Sequence, residues 1–133
     1  MNKLTLCNKK LLRGAWGGEE IRCMLETFGG DILMGTAQGL YRYDPKSHSM
    51  DILYKEFNQK NCRVLYEDSK KRIWVGTYHD GLYCIEAGKV RAYAYPDTDY
   101  QNELDFSNIR AIIEDPSGRL WISIYGYGGV GQF

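Results

Sequence analysis

Cys62-Arg63-Val64-Leu65-Tyr66-Glu67, followed by Ile73-Trp74-Val75-Gly76-Thr77, decides the fold, because this pair of phrases is written three times in fixed order. Ile21-Arg22-Cys23-Met24-Leu25-Glu26 precedes Ile32-Leu33-Met34-Gly35-Thr36. Ile109-Arg110-Ala111-Ile112-Ile113-Glu114 precedes Leu120-Trp121-Ile122-Ser123-Ile124. The copies begin 41 (62 − 21) and 47 (109 − 62) residues apart. A period of roughly 40 to 50 residues filled with short strands predicts β-propeller blades.

Within each copy a strand ending in an acid leads to a tight turn, a continuous apolar strand, a glycine, and a Gly-Leu-Tyr strand. In the second copy the turn is Asp68-Ser69-Lys70-Lys71 and the last strand is Gly81-Leu82-Tyr83-Cys84-Ile85; the first copy repeats that ending as Gly39-Leu40-Tyr41-Arg42-Tyr43. Fourth strands are expected at Met50 to Tyr54 and Lys89 to Tyr93. Four short antiparallel strands make one blade. The prediction is therefore an all-β chain of about three four-stranded antiparallel blades, an incomplete propeller.

Consecutive apolar residues such as Ile73-Trp74-Val75 require cover on both faces, which neighbouring blades supply. The Trp74 or Trp121 indole fills the gap between them, and Gly35 and Gly76 fall where strands crowd near the axis. Arg22, Arg63 and Arg110 stand four residues before Glu26, Glu67 and Glu114. Residues four apart on a regular strand share a face, so the spacing predicts an architectural bridge at the blade surface.

The expected boundaries are closing strands of a preceding blade at 1–16, blades at 17–58 and 59–104, and a truncated blade at 105–133. Three blades do not close a ring when propellers typically use four to eight. An open blade face of about 400 Å² at about 25 cal/mol per Å² carries on the order of 10 kcal/mol. Either the chain is a piece of a larger propeller, the reading favoured here, or protomers associate. Homodimerisation is expected of the isolated chain.

Composition narrows the partners. Seventeen basic and 17 acidic residues cancel over 133 positions, with no concentrated basic patch, so nucleic acid is not an expected partner. No run of 18 apolar residues occurs, so no membrane-spanning helix is expected. The first residues do not read as a secretory signal, since Asn8, Lys9 and Lys10 interrupt the leucines. Cys7, Cys23, Cys62 and Cys84 have no Cys-x-x-Cys spacing and only His48 and His79 accompany them, so no metal is expected, and they read as small buried hydrophobes with a disulfide as the alternative. No cofactor is expected.

The run Ile109-Arg110-Ala111-Ile112-Ile113-Glu114-Asp115-Pro116-Ser117-Gly118-Arg119-Leu120-Trp121-Ile122 resembles the two-component regulator propeller repeat, as does Val64 to Val75 with Gly76-Thr77 and Gly81-Leu82-Tyr83. That repeat forms the sensor region of hybrid two-component system histidine kinases. The resemblance implies a periplasmic location, two large propellers and a β-sandwich outside the inner membrane, and an oligosaccharide ligand whose binding is passed to a kinase. The first copy departs from the pattern at Thr27-Phe28-Gly29-Gly30 and at Leu33, the third at Ser123-Ile124.

Propellers bind ligands mostly at one mouth of the channel, on loops joining the second to third strands and joining blades. Those loops hold Ala37-Gln38, Tyr78-His79-Asp80 and Tyr125-Gly126-Tyr127, with Trp16, Asn61, Ser107 and Asn108 on the interblade side. The candidate ligand-binding residues are Gln38, Tyr78, His79, Asp80, Tyr125 and Tyr127: aromatic rings stack on sugar faces while His, Asp and Gln hydrogen-bond hydroxyls. Their bland alternative is padding at the blade edge.

Three other patterns carry less. His79-Asp80 lacks a nucleophile or third partner. The acidic run Asp97 to Asp105 has Asn102 where a calcium loop needs glycine, and reads as an interblade connection. Gly126-Tyr127-Gly128-Gly129-Val130-Gly131 matches a dinucleotide fingerprint without room for the helix that would receive a pyrophosphate. The leading function is thus a glycan-sensing module, the runner-up an interaction propeller without a small-molecule ligand, and an enzyme the weakest reading.

Overall fold

The computed structural model describes residues 13–14, 20–93, 108–125 and 130–132. The first sheet holds β2 (Ile21–Glu26), β3 (Ile32–Thr36), β4 (Gly39–Asp44) and β5 (Ser49–Ile52), with β1 (Arg13–Gly14) added in parallel at the outer edge of β5. The second is an antiparallel meander of β6 (Asn61–Glu67), β7 (Ile73–Tyr78), β8 (Leu82–Glu86) and β9 (Lys89–Tyr93). The third is β10 (Ile109–Glu114), β11 (Leu120–Ile124) and β12 (Val130–Gln132). This is an all-β chain of propeller blades, as the repeats require. Of the expected strand ends one fails clearly: Tyr54 is not in β5 but opens a 3-10 turn at Lys55–Phe57, with φ of 59°.

The three sheets share one register. Ile21 pairs Thr36, Cys62 pairs Thr77 and Ile109 pairs Ile124, and in each the ladder then slips by one residue, so that Cys23 faces Gly35, Val64 faces Gly76 and Ala111 faces Ser123. The extra residue at each slip is an arginine: Arg22, Arg63 or Arg110. A bulge breaks the two-residue alternation of side chains and turns the strand. The bridge expected between each arginine and the glutamate four residues on therefore does not form. Instead Glu67 accepts the Phe28 backbone N–H at 2.6 Å, and Glu114 accepts the Ser69 N–H at 2.7 Å and its hydroxyl at 2.5 Å. Each glutamate caps the turn of the blade before it.

First strands of successive blades pack on one another, β2 on β6 and β6 on β10. Between the first two blades Leu33 and Leu40 meet Leu65, Val75 and Ile85 over Phe57; between the next two, Trp74, Leu82 and Cys84 meet Ile109, Ile112, Leu120 and Ile122. The Trp74 indole is 1 % exposed, filling the gap between blades as its position predicts. The crowding expected at Gly35 is equally concrete: a Cβ there would lie 2.6 Å from the Cys62 carbonyl oxygen of the next blade.

Behind the recurring turn stands one hydrogen-bond set. Asp68 Oδ1 accepts the N–H of Lys70 and of Arg72, while Oδ2 accepts Arg72 Nε–H at 2.7 Å and the Trp74 indole N–H at 2.9 Å. Asp115 repeats this with Ser117, Arg119 and Trp121. In the first blade Thr27, Asp31 and Leu33 replace Asp, Arg and Trp together, and Thr27 Oγ1 accepts the Asp31 N–H in their stead.

Cys23, Cys62 and Cys84 are free thiols inside the sheets. Burial pushes Cys23 up to about 11, and burial together with the neighbouring Cys23 pushes Cys62 up to about 12. In a Cys7→Ser variant at pH 8, Cys23 and Cys62 of the native protein are expected to react with an aromatic disulfide reagent at least about a hundredfold more slowly than in the unfolded chain, since only the thiolate attacks. Rapid reaction of these thiols without denaturant would contradict that packing.

Candidate functional site

The loops of interest leave the strands just after the Gly-Thr pair, and the threonine shapes them. Thr36 Oγ1–H donates to the Gly39 carbonyl at 3.1 Å and accepts the Gln38 N–H; Thr77 Oγ1–H donates to the Gly81 carbonyl at 2.7 Å and accepts the Asp80 N–H at 3.0 Å. Both threonines are fully buried. In the third blade Ile124 takes this place and makes no such bond.

Gln38 is exposed, its carbonyl accepting the Gln59 N–H at 2.9 Å. His79 and Asp80 are exposed beside half-buried Tyr78, with the His79 ring 3.7 Å from that of Tyr78, centroid to centroid. Tyr125 is 65 % exposed. Tyr127, with Trp16, Ser107 and the 97–105 run, lies outside the described residues.

His79 has φ of 82°, in the left-handed region. Relief of about 1–2 kcal/mol in that backbone strain, less about 0.5–1 kcal/mol for glycine's greater unfolded freedom, leaves His79→Gly more stable by roughly 0.5–1 kcal/mol. A thermal melt tests this. A lowered midpoint would show that the ring contact with Tyr78 outweighs the strain.

Tyr78 and Tyr125 are joined by a continuous backbone row. Asn61 pairs Tyr78 across β6 and β7, Tyr78 bridges to Asn108 of the next blade, and the Asn108 carbonyl accepts the Tyr125 N–H at 2.9 Å. Directly opposed residues on antiparallel strands put their side chains on one face, so Asn61, Tyr78 and Asn108 share a side. The bulge arginines return here: Arg63 lies 4.5 Å from the Tyr78 ring centroid and Arg110 4.8 Å from that of Tyr125. Each such stack is worth about 0.5–1 kcal/mol at an exposed site.

In the first blade Ala37 takes the tyrosine's place, and Arg22 pairs with Glu20 at 3.5 Å. Sequence reasoning picked the tyrosines and Asn61 and Asn108 but assigned the arginines elsewhere. The signal was present: Arg63 and Tyr78, like Arg110 and Tyr125, stand 15 residues apart, whereas position 37, the same distance from Arg22, holds alanine.

Among the described residues three buried side-chain polar atoms have no hydrogen-bond partner: Asn61 Oδ1, Arg63 Nε and Asn108 Oδ1. Leaving a buried polar atom unpaired costs about 1–3 kcal/mol. Asn61 and Asn108 are the backbone partners of Tyr78, and Arg63 stacks on its ring. No group of three or more His, Cys, Asp or Glu side chains suited to a metal occurs among the described residues.

A row of loops at one end of successive packed sheets built on one antiparallel ladder defines the class: a β-propeller with a candidate binding mouth. Residues 56–79 and 103–126 match the two component regulator propeller family, so the chain carries that repeat. It is similar, at 32 % identity and a TM-score of 0.67 over 85 % of its length, to the extracellular domain assigned to the hybrid two component system BT3049 of B. thetaiotaomicron. It also shares the fold of the extracellular domain assigned to the one component system BT4673 of the same organism, at 20 % identity and a TM-score of 0.70 over 96 % of its length. The chain spans 15 % of the first and 18 % of the second. Comparison with curated proteins returned no match. Among the described residues no helix is long and apolar enough to cross a membrane.

Proposed function

We propose that this chain forms part of the periplasmic ligand-sensing propeller of a hybrid two-component histidine kinase, and that its mouth binds a glycan-derived ligand. The observation that carries this reading is the Asn61–Tyr78–Asn108–Tyr125 row, where half-buried Tyr78 and exposed Tyr125 stand with exposed His79 and Asp80 at one end of two blades. Rings offer apolar faces to the C–H side of a sugar, and the exposed Gln38, His79 and Asp80 side chains hydrogen-bond its hydroxyls. Similarity to an extracellular sensor domain supports the location and the signalling role. The reaction chemistry of the receptor belongs to its kinase, and this propeller is a binding module.

Thermal melts against a panel of plant and host oligosaccharides test it. A ligand at a hundredfold excess over its Kd stabilises the folded state by about 2.7 kcal/mol, raising Tm by roughly 10 °C for a domain of this size. The rise should vanish in Tyr78→Ala. No shift with any saccharide would overturn the reading.

One observation favours a second role, association of blades between chains. Ile113 is 59 % exposed, although its counterparts Leu25 and Tyr66 pack against the following blade. A homodimer would cover it. Light scattering decides: a monomer at micromolar concentration removes this role.

A further inference from the structure

We infer that the face of the third blade at Ile113 is an interface for a further blade of this repeat, one whose first strand opens with glycine and does not close with an acid, and that Ser123 and Pro116 keep the chain's own first blade off it. The face lies on the flank of the blade, so ligand binding at the mouth neither requires nor excludes it. Continuity with the two junctions already described identifies the occupant as a blade. β10 has the ladder of β2 and β6, slip included, and Ile113 stands where Leu25 and Tyr66 pack against the following blade. Ile113 is itself 59 % exposed, and Ala111 on the same strand is exposed too. An apolar face that its counterparts bury against a sheet calls for a sheet.

Two contacts fix each existing junction, and the third blade alters both. The first is a close approach. The leading residue of the next blade, Cys62 or Ile109, lies over Gly35 or Gly76; a Cβ at Gly76 would meet the Ile109 side chain, at 2.6 Å for Cγ2 and 3.0 Å for Cβ. Ser123 holds that register place in the third blade, opposite Ala111 as Gly76 is opposite Val64. Its Cβ occupies the space that a leading side chain fills between the second and third blades, and a blade opening with glycine is the one that fits. The chain's own first blade opens with Ile21, as branched as Ile109.

The second contact is the glutamate that ends the first strand. Glu67 and Glu114 each accept a turn N–H of the blade before, from Phe28 and Ser69. The corresponding residue of the third blade is Pro116, which has no N–H. The next three N–H groups of that turn are used within it: Ser117 and Arg119 donate to the Asp115 carboxylate and Gly118 to the Asp115 carbonyl. A carboxylate brought here gives up its water and finds no donor, which is unfavourable. Glu26, exposed at the end of β2, is the acid that the first blade would bring. Size and charge thus reject the same blade independently, and head-to-tail association of this chain through Ile113 is disfavoured.

The test is a ¹H–¹⁵N NMR titration of the labelled full chain with an unlabelled second chain. An added Ile21→Gly/Glu26→Ala chain, changed only at exposed positions of β2, should move the backbone amide signals of Ile113 and Ser123. It should bind about 10- to 100-fold more tightly than added wild-type chain. The reciprocal pair serves if that variant fails to fold: a labelled Pro116→Ser/Ser123→Gly chain should accept wild-type chain with a gain of the same size. Ile113→Asp in the labelled partner should abolish both gains. Equal binding of wild-type and variant chains at this face overturns the inference, as does the absence of any shift at positions 113 and 123 with folded pairs of both kinds. Binding that survives Ile113→Asp places the contact elsewhere and overturns it as well.

Discussion

Gly35→Ala is expected to destabilise the chain by about 3 kcal/mol, although the backbone ledger alone predicts the opposite sign. Glycine within a strand costs about 0.5–1 kcal/mol relative to alanine through its greater unfolded freedom, so an alanine free of contacts would be a gain. At this position a methyl group would stand 2.5 Å from Cys23 Sγ and 2.6 Å from the Cys62 carbonyl oxygen. The sulfur can move. The carbonyl belongs to the innermost strand of the next blade and yields only if that blade shifts, which opens the apolar contact of Leu33 and Leu40 with Leu65 and Val75.

Gly76→Ala should cost less, because the crowding atoms belong to the Ile109 side chain, at 2.6 Å for Cγ2 and 3.0 Å for Cβ. Gly29→Ala, with its nearest atom at 3.8 Å, is the control and should be neutral. Urea unfolding of the three variants ranks them. An unchanged or raised midpoint for Gly35→Ala would mean that the blades do not close on one another as tightly as the geometry states.

That ranking also explains what was legible from residue order. The repeat spacing predicted the sheets, because each blade is the same ladder with the same slip, and the glycine after the Trp strand marked the crossing of blades. The adjacency of Asn61, Tyr78, Asn108 and Tyr125 in one backbone row follows from the same ladder, since each stands at the end of a repeated strand. What failed depended on departures from regular strand geometry. A one-residue bulge at Arg63 changes which face it serves, so the expected pairing with Glu67 gave way to a stack on Tyr78. The partner of Glu67 is Phe28 of another blade, 39 residues away, a contact that no local spacing announces. Tyr54 reads as a strand residue by type, yet its positive φ starts a turn that delivers Phe57 into the interblade core.

Asp68 shows most clearly how the repeat motif stabilises the blade, and Asp68→Ala is expected to cost about 3–5 kcal/mol, the range for removing one partner of a buried charged pair. The carboxylate is fully buried by area and accepts four hydrogen bonds. Its loss removes the acceptor 2.9 Å from the indole N–H of Trp74, a ring 1 % exposed, and leaves the Arg72 guanidinium without its counter-ion. The same change at Asp115, whose partners Arg119 and Trp121 are more exposed, should cost less.

Protonation repeats the experiment without mutation. Burial would raise the Asp68 carboxyl, but the bonds from Trp74 and Arg72 outweigh it and hold it below the usual carboxylate range. At Asp115 the Ser117 hydroxyl and the Trp121 indole do the same. A carboxylate depressed in the folded state contributes stability that is fully present above its unfolded value, about 3.9, and is lost as pH falls through the folded value. Stability should therefore be flat in this contribution from pH 7 to about 5 and decline below about pH 4. In Asp68→Asn the decline should be shallower, because one proton fewer is taken up on unfolding in that window. An acid limb of equal slope in the two proteins, measured by urea titration at pH 5, 4 and 3, would show that Asp68 does not anchor the turn through its charge.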